Sequence, residues 1–126
     1  MKCSVIVACY NPILSKVKFT LKTILQQDIK DIEIILVDDG SKDNQFQAVE
    51  QYLVQNNFKN YKFVANEINQ GTVKNIISGL NVCTGRYIKL LSPGDGFYSS
   101  DVVSYLCNYM DQNQVLACFG RMMGYS

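Results

Sequence analysis

The sequence predicts an α/β domain built on a mainly parallel sheet with helices on both faces. Three observations predict it. Short apolar runs bounded by turn residues alternate with segments whose apolar positions fall at helical spacing. The run Ile34 to Val37 lacks the polar alternation of a strand with one wet face. Polar residues then collect directly after the apolar runs, where parallel sheets bind their ligands. Parallel strands need a crossover between them, and a right-handed helical crossover places helices against the sheet in three layers.

Taken in order, Cys3 to Cys9 is the first strand, and Tyr10-Asn11-Pro12 turns the chain into a helix from about Ser15 to Gln27. Val17, Leu21, Ile24 and Leu25 recur on one face of it. Ile34 to Val37 is the second strand, followed by a helix over roughly Gln45 to Gln55 with Phe46, Val49 and Leu53 as its apolar face. Tyr61 to Ala65 is the third strand. The loop NEINQG leads to a helix whose apolar face is Val73, Ile76, Ile77 and Leu80, expected to lie on the sheet. Arg86 to Leu91 alternates as a strand does and breaks at SPGDG. A helix with Val102, Val103, Leu106 and Met110 follows, and 115–120 is a last strand candidate. There is no internal repeat, low-complexity tract or linker, so residues 1–126 are read as a single domain.

Composition narrows the function. With 126 residues, 48% hydrophobic and 18% charged, the chain is sufficient for one core. A formal net charge of +1 without long charged blocks gives no case for a nucleic-acid partner, and points to a small one. Cys3, Cys9, Cys83, Cys107 and Cys118 show no CxxC spacing and several sit in apolar runs, so they are expected reduced, in a cytoplasmic protein. The opening MKCSVIVACYN reaches Asn11-Pro12 too soon for a membrane span and lacks a cleavage pattern for export. The absence of histidine excludes a Ser/His/Asp triad, a Cys/His dyad and a histidine-ligated metal within this chain.

The polar residues at the expected strand ends are Tyr10 and Asn11, Asp38 and Asp39, Asn66 and Asn69, and Asp95. Two adjacent carboxylates can accept hydrogen bonds from a ribose hydroxyl or a base N–H. Asp39-Gly40-Ser41 reads equally as a turn, with Ser41 or Asp43 capping the next helix. There is neither GxGxxG nor GxxxxGK[ST], so neither of those phosphate-cradling loops is supported. Pro93-Gly94-Asp95-Gly96 forces a tight turn from which one carboxylate projects; it is a common turn composition, and also suffices for a Mg²⁺ or Mn²⁺ ion otherwise held by water and phosphate. Asp101 reads as a charge at a helix N-terminus. In NQGTVKN, Gly71 permits close backbone approach, and Lys74 either meets a phosphate or lies solvated on the exposed face. Tyr87, Phe97, Tyr98, Tyr105 and Tyr109 read as packing groups, leaving Tyr10 as the candidate to stack on a base.

SVIVACYN, EIILVDDGSKD, NQGTVKN and TGRYIKLLSPGD, in this order and spacing over nearly the whole chain, resemble the nucleotide-binding half of inverting family 2 glycosyltransferases. The resemblance implies a three-layer Rossmann-like GT-A fold, truncated relative to the family, whose members continue well beyond this length to supply the acceptor site and a general base. It implies a UDP-sugar donor and roles in uridine binding for Cys9, Tyr10, Asn11, Asp38 and Asp39, with Asp39 or Asp38 facing the uracil ring. Gly71 and Lys74 join the donor site. The family's Asp-x-Asp metal motif falls on Ser92-Pro93-Gly94-Asp95, where only the last acid remains; Asp95 is the position that holds Mn²⁺ or Mg²⁺ against the diphosphate. Where many members carry a basic residue and asparagine after the glycine, this chain has Ile76 and Ile77, with Lys74 and Asn75 as displaced substitutes.

The reading that follows is a bacterial glycosyltransferase of cell-wall or polysaccharide synthesis, cytoplasmic or peripheral at the inner membrane face, acting on a glycan or lipid-linked glycan acceptor. No residue is named as the base. A nucleotide-sugar-binding fragment without transferase activity and a flavodoxin-like interaction domain are the alternatives. A sheet ending near Gly120 is expected to leave an open edge and an uncovered face, which favours self-association.

Overall fold

A computed structural model describes residues 1–115, so Cys118 and all but the first residue of the strand expected over 115–120 lie outside the described residues. Among the described residues four strands and four helices alternate: β1 (Cys3–Cys9), α1 (Leu14–Leu25), β2 (Ile32–Asp39), α2 (Phe46–Gln55), β3 (Tyr61–Asn66), α3 (Thr72–Leu80), β4 (Tyr87–Leu91) and α4 (Val102–Asn113). The sheet is wholly parallel in the order β3-β2-β1-β4. From β1 the chain steps outward twice, then returns to the other side of β1. Right-handed crossovers therefore place α1 and α2 on one face and α3 on the opposite one.

The larger core lies on the α1/α2 side. It joins Val5, Val7 and Cys9 of β1, Ile34 and Leu36 of β2, Val17, Leu21 and Ile24 of α1, Val49 and Leu53 of α2, and Val103 and Cys107 of α4. On the α3 side Ile6, Ile35 and Val37 form a smaller cluster with Val64 and Val82 packed against it. Every residue of β2 is buried, as a central strand covered on both faces requires. It is longer than its apolar run: Ile32 and Glu33 precede that run, and Asp38 and Asp39 still pair, with Ala65 and Asn66 of β3.

Helix α3 departs from its sequence pattern. Its sheet-facing residues are Asn75 and Gly79, both buried, whereas of the predicted apolar face Val73, Ile77 and Leu80 are 72%, 47% and 39% exposed and Ile76 is half-buried. The expectation that the apolar face lies on the sheet is corrected by two close contacts. A Cβ on Gly79 would stand 2.9 Å from Val37 Cγ1 and 3.0 Å from Ile6 Cγ2, so glycine permits the helix to sit close to the strands. Asn75 donates to the Val37 carbonyl at 3.4 Å and accepts the Asn66 amide at 3.1 Å, which satisfies its buried polar group. The displaced apolar residues lie on the same side of the sheet as Ile88 and Leu90, which are exposed on the β4 edge. Tyr98, Tyr105 and Tyr109, read as packing groups, are exposed as well; Tyr87 and Phe97 do pack against the core.

Below the sheet, at the starts of the strands, buried Glu33 gathers the Ser4 hydroxyl, the Thr84 N–H and hydroxyl, and the Lys62 ammonium. Burial by itself would push this carboxyl up. The hydrogen bonds from Ser4 and Thr84, with Lys62 beside them, outweigh it and hold the pKa at about 2. Glu33 and Ser4 thereby bind the Thr84-Gly85 loop that leads into β4.

Candidate functional site

The strand order reverses between β1 and β4, the point beyond whose carboxyl ends parallel α/β sheets bind their ligands. Tyr10 and Asn11 leave β1 on one side of it, and the Asp95 turn leaves β4 on the other. Tyr10 is 54% exposed, and Asn11 adopts a left-handed φ of 45°. Cys9 is different: its side chain lies in the larger core with Sγ directed at the Val7 carbonyl. Burial, and after it the nearby Asp38 charge, push its thiol up to about 12. Cys9 can therefore meet a ligand only through its backbone.

The two carboxylates do different work. Asp38, 1% exposed, takes the Ser41 N–H at 2.8 Å on one oxygen and the Ser41 hydroxyl at 2.6 Å on the other. Ser41 Oγ in turn accepts the Asn11 N–H at 2.7 Å, tying the end of β1 to the end of β2. Ser41 is thus no helix cap; Asp43 and Asn44 accept the Gln45 and Phe46 N–H groups at the start of α2. Asp39, 4% exposed, reaches the next loop, accepting the Gln70 N–H at 2.7 Å and the Gly71 N–H at 3.0 Å.

Gly40, between the carboxylate pair and Ser41, has a φ of 78°, and a Cβ there would stand 2.5 Å from the Asn69 nitrogen. The loops after β1, β2 and β3 are consequently joined into one rim. Gly71 is exposed at the N-cap of α3 with a φ of 95°, and Lys74 is exposed in that helix's first turn. Asn75, read as a displaced substitute for a site residue, is instead buried beneath the rim.

Asp95 closes a turn whose shape the sequence dictates. Its N–H donates to the Ser92 carbonyl at 2.9 Å, with proline and a positive-φ glycine at the two central positions, as a type II turn requires. Oδ2 accepts the Ser92 N–H at 3.1 Å, and the carboxylate is exposed. Asp101 stands at the N-cap of α4, where its charge faces the helix dipole.

No group of three His, Cys, Asp or Glu residues gathers to hold a metal among the described residues. A single carboxylate with one oxygen uncommitted fits a hard divalent ion whose remaining ligands are water and phosphate, and fits no all-protein metal cage.

Sequence reading missed Thr20, Thr23 and Gln27. Thr20 and Gln27 are buried polar residues on the otherwise apolar side of α1 and just after it, and all three bond the Asp95 loop. A polar residue inside the apolar stripe Val17, Leu21, Ile24 was the signal that could have found the first.

A parallel α/β sheet with polar loops gathered at a strand-order reversal is the architecture of a domain that binds its ligand beyond the carboxyl ends of the strands. The chain belongs to glycosyl transferase family 2, whose model matches residues 4–126. It is 28% identical over 113 residues to poly-beta-1,6-N-acetyl-D-glucosamine synthase of Staphylococcus epidermidis, covering 90% of this chain and 26% of that protein. The crystal structure of S. aureus TarS 1-349 in complex with UDP-GlcNAc superposes with a TM-score of 0.74 at 28% identity, over 90% of this chain and 32% of that one. Mannosyltransferase PcManGT from Pyrobaculum calidifontis, in complex with GDP-Man and Mn²⁺, shares the fold with a TM-score of 0.79 at 21% identity, over 86% of this chain and 32% of that one. The chain thus spans about a third or less of these proteins. Family membership sets aside the flavodoxin-like alternative. Among the described residues no helix is long and apolar enough to cross a membrane.

Proposed function

We propose that this chain is the donor-binding part of an inverting glycosyltransferase that uses a UDP-sugar and Mn²⁺ or Mg²⁺, in bacterial cell-wall or polysaccharide synthesis at the cytoplasmic side of the membrane. The observation that carries the reading is the rim formed by Asp38, Ser41 and Asp39 beside the β1/β4 reversal, with the Asp95 turn across from it. The TarS complex with UDP-GlcNAc supports the choice of donor.

In this reading Tyr10 stacks on the base and Asn11 lines its edge. Each Asp39 oxygen keeps an acceptor direction beyond its loop bond, suited to a base N–H or a ribose hydroxyl. Asp38, with both oxygens held by Ser41, braces the pocket. Gly71 lets backbone approach the donor, and Lys74 neutralises diphosphate charge. Asp95 would hold the divalent ion, which when bound neutralises charge on the departing diphosphate. Inversion calls for a general base within reach of the hydroxyl of a glycan or lipid-linked glycan acceptor, and none of the described carboxylates is assigned that role.

Calorimetric titration of UDP and UDP-GlcNAc, with and without Mn²⁺, tests the reading beside Asp39→Ala and Asp95→Ala. Binding lost in the first variant and metal dependence lost in the second are expected. Absence of heat for either nucleotide with Mn²⁺ would overturn it. The second reading, donor binding without transfer, is favoured by Ser92 and Gly94 at acidic positions of the metal motif. It predicts UDP binding with no release of UDP from UDP-GlcNAc in the presence of acceptor glycans.

A further inference from the structure

We infer that Thr20 is a positioning residue for Asp95, and that α1 serves as a polar rail fixing the loop that presents this carboxylate to a divalent ion. The inference rests on the donor-site reading above and adds a residue to it.

Thr20 is fully buried. Its hydroxyl donates to the Asp95 carbonyl at 2.6 Å and accepts the Gly94 N–H at 2.9 Å, so one oxygen bridges the two backbone groups that flank the Gly94–Asp95 peptide. The Lys16 carbonyl, one turn earlier, lies 3.2 Å from the same Gly94 nitrogen. Further along, Thr23 Oγ1 accepts the Phe97 N–H at 3.1 Å. Gln27 then donates to the Ser99 carbonyl at 2.8 Å and accepts the Val103 N–H at 3.1 Å. Lys16, Thr20, Thr23 and Gln27 follow helical spacing, so one edge of α1, continued by Gln27 just past its C-cap, holds residues 94–103 at four successive points.

The rail has a reason to exist. Residues 92–101 carry no regular structure, and a loop without a ladder of its own needs other partners for its backbone groups. Asp95 also stands without a second acidic residue within its turn. A lone monodentate carboxylate binds an ion well only when its position is fixed beforehand, because ordering the loop on binding costs affinity. Two threonines on a packed helix and a buried glutamine just past its end are otherwise a poor choice, since each must find partners when buried.

Thr20→Val keeps shape and volume and removes the hydroxyl's bonds to the loop, including the longer contact to the Ser92 carbonyl at 3.4 Å, whereas Thr20→Ser keeps them. The measurement is Mn²⁺ affinity of the UDP complex, read from the free-ion electron paramagnetic resonance signal. Stability in urea and amide exchange at Gly94 are recorded in parallel. Leu53→Ala, in the core beneath α2, supplies a variant destabilised away from the loop. The expected result is a rise of about tenfold in the Mn²⁺ dissociation constant for Thr20→Val, within about threefold for Thr20→Ser, and no change for Leu53→Ala. Unchanged Mn²⁺ affinity in Thr20→Val overturns the inference, as does an equal loss in Leu53→Ala. If the wild-type protein binds UDP without any Mn²⁺ dependence, the metal reading fails and Thr20's role toward the ion fails with it. Faster Gly94 exchange in Thr20→Val would still separate that failure from an error about the loop contact, which unchanged exchange would expose.

Discussion

The Asp39 carboxylate lies between two loops: it closes β2 and at the same time holds the Gly71 N–H at 3.0 Å, at the N-cap of α3. One side chain thus sets the start of a helix and, in the proposed function, offers its remaining acceptor directions to a donor nucleotide. Asp39→Asn keeps one acceptor oxygen and replaces the other with a donor that faces an N–H group. It is expected to lose UDP binding by at least tenfold and to destabilise the fold by about 1–2 kcal/mol. Calorimetry and urea unfolding on the same protein check both numbers. Normal UDP affinity in the variant would remove Asp39 from the site.

Helix α3 supplies a test in which pattern and structure disagree. The apolar periodicity assigns Ile77 to the sheet, yet Asn75 and Gly79 occupy that side. Ile77→Lys is therefore expected to change stability by less than about 0.5 kcal/mol, as an exposed substitution does. Gly79→Val is expected to cost about 2 kcal/mol or more, since its Cβ would press on Val37 and Ile6. The reverse ranking in urea unfolding would return α3 to the orientation its periodicity suggests.

The same disagreement shows what was legible. The β1 bounds, the parallel sheet and the burial of Ile34 to Val37 follow from run length and from the alternation of strands with helices, because a strand covered on both faces can hide no polar side chain without a partner. The site rim was half legible. Asp38, Asp39 and Asp95 stand out as carboxylates after apolar runs, but the division of labour between them depends on the Ser41 hydroxyl and on amides 70 and 71. Backbone partners leave no mark in side-chain pattern. The α3 reversal was hidden because glycine and asparagine score as polar or neutral while serving as contact residues.

The cysteines carry a chemical prediction. Cys3 and Cys9 are buried free thiols, each pushed up to about 12 mainly by burial, with Cys107 beside Cys3 and the Asp38 charge near Cys9 adding to it. At pH 8 both remain neutral and shielded in the folded protein. Cys83, half-exposed beside the Leu80 carbonyl, is expected to alkylate at least tenfold faster than either. Peptide mapping after timed iodoacetamide treatment ranks the three; Cys9 modified first would show that the end of β1 opens in solution.

Glu33 ties stability to pH through a group at the opposite end of the strands from the proposed donor site. Its folded pKa of about 2 lies below the usual carboxylate value of 4.5, held there by Ser4, Thr84 and Lys62 against the effect of burial. The sign follows: the unfolded chain takes up the proton first, so the stabilisation is fully present above about pH 4.5 and is lost as pH falls from there toward 2. Glu33→Gln keeps the size but removes the charge and sets an amide donor among donors. It is expected to lower stability by about 2–3 kcal/mol at pH 7. The gap between wild type and variant should narrow between pH 4.5 and pH 3, because Glu33 of the unfolded chain takes up its proton there while the folded carboxylate stays ionised. Urea midpoints measured at pH 7, 4.5 and 3 check this. A gap that stays constant across that range would mean that the charge on Glu33 contributes nothing, and that Ser4 and Thr84 are held by shape and neutral hydrogen bonding alone.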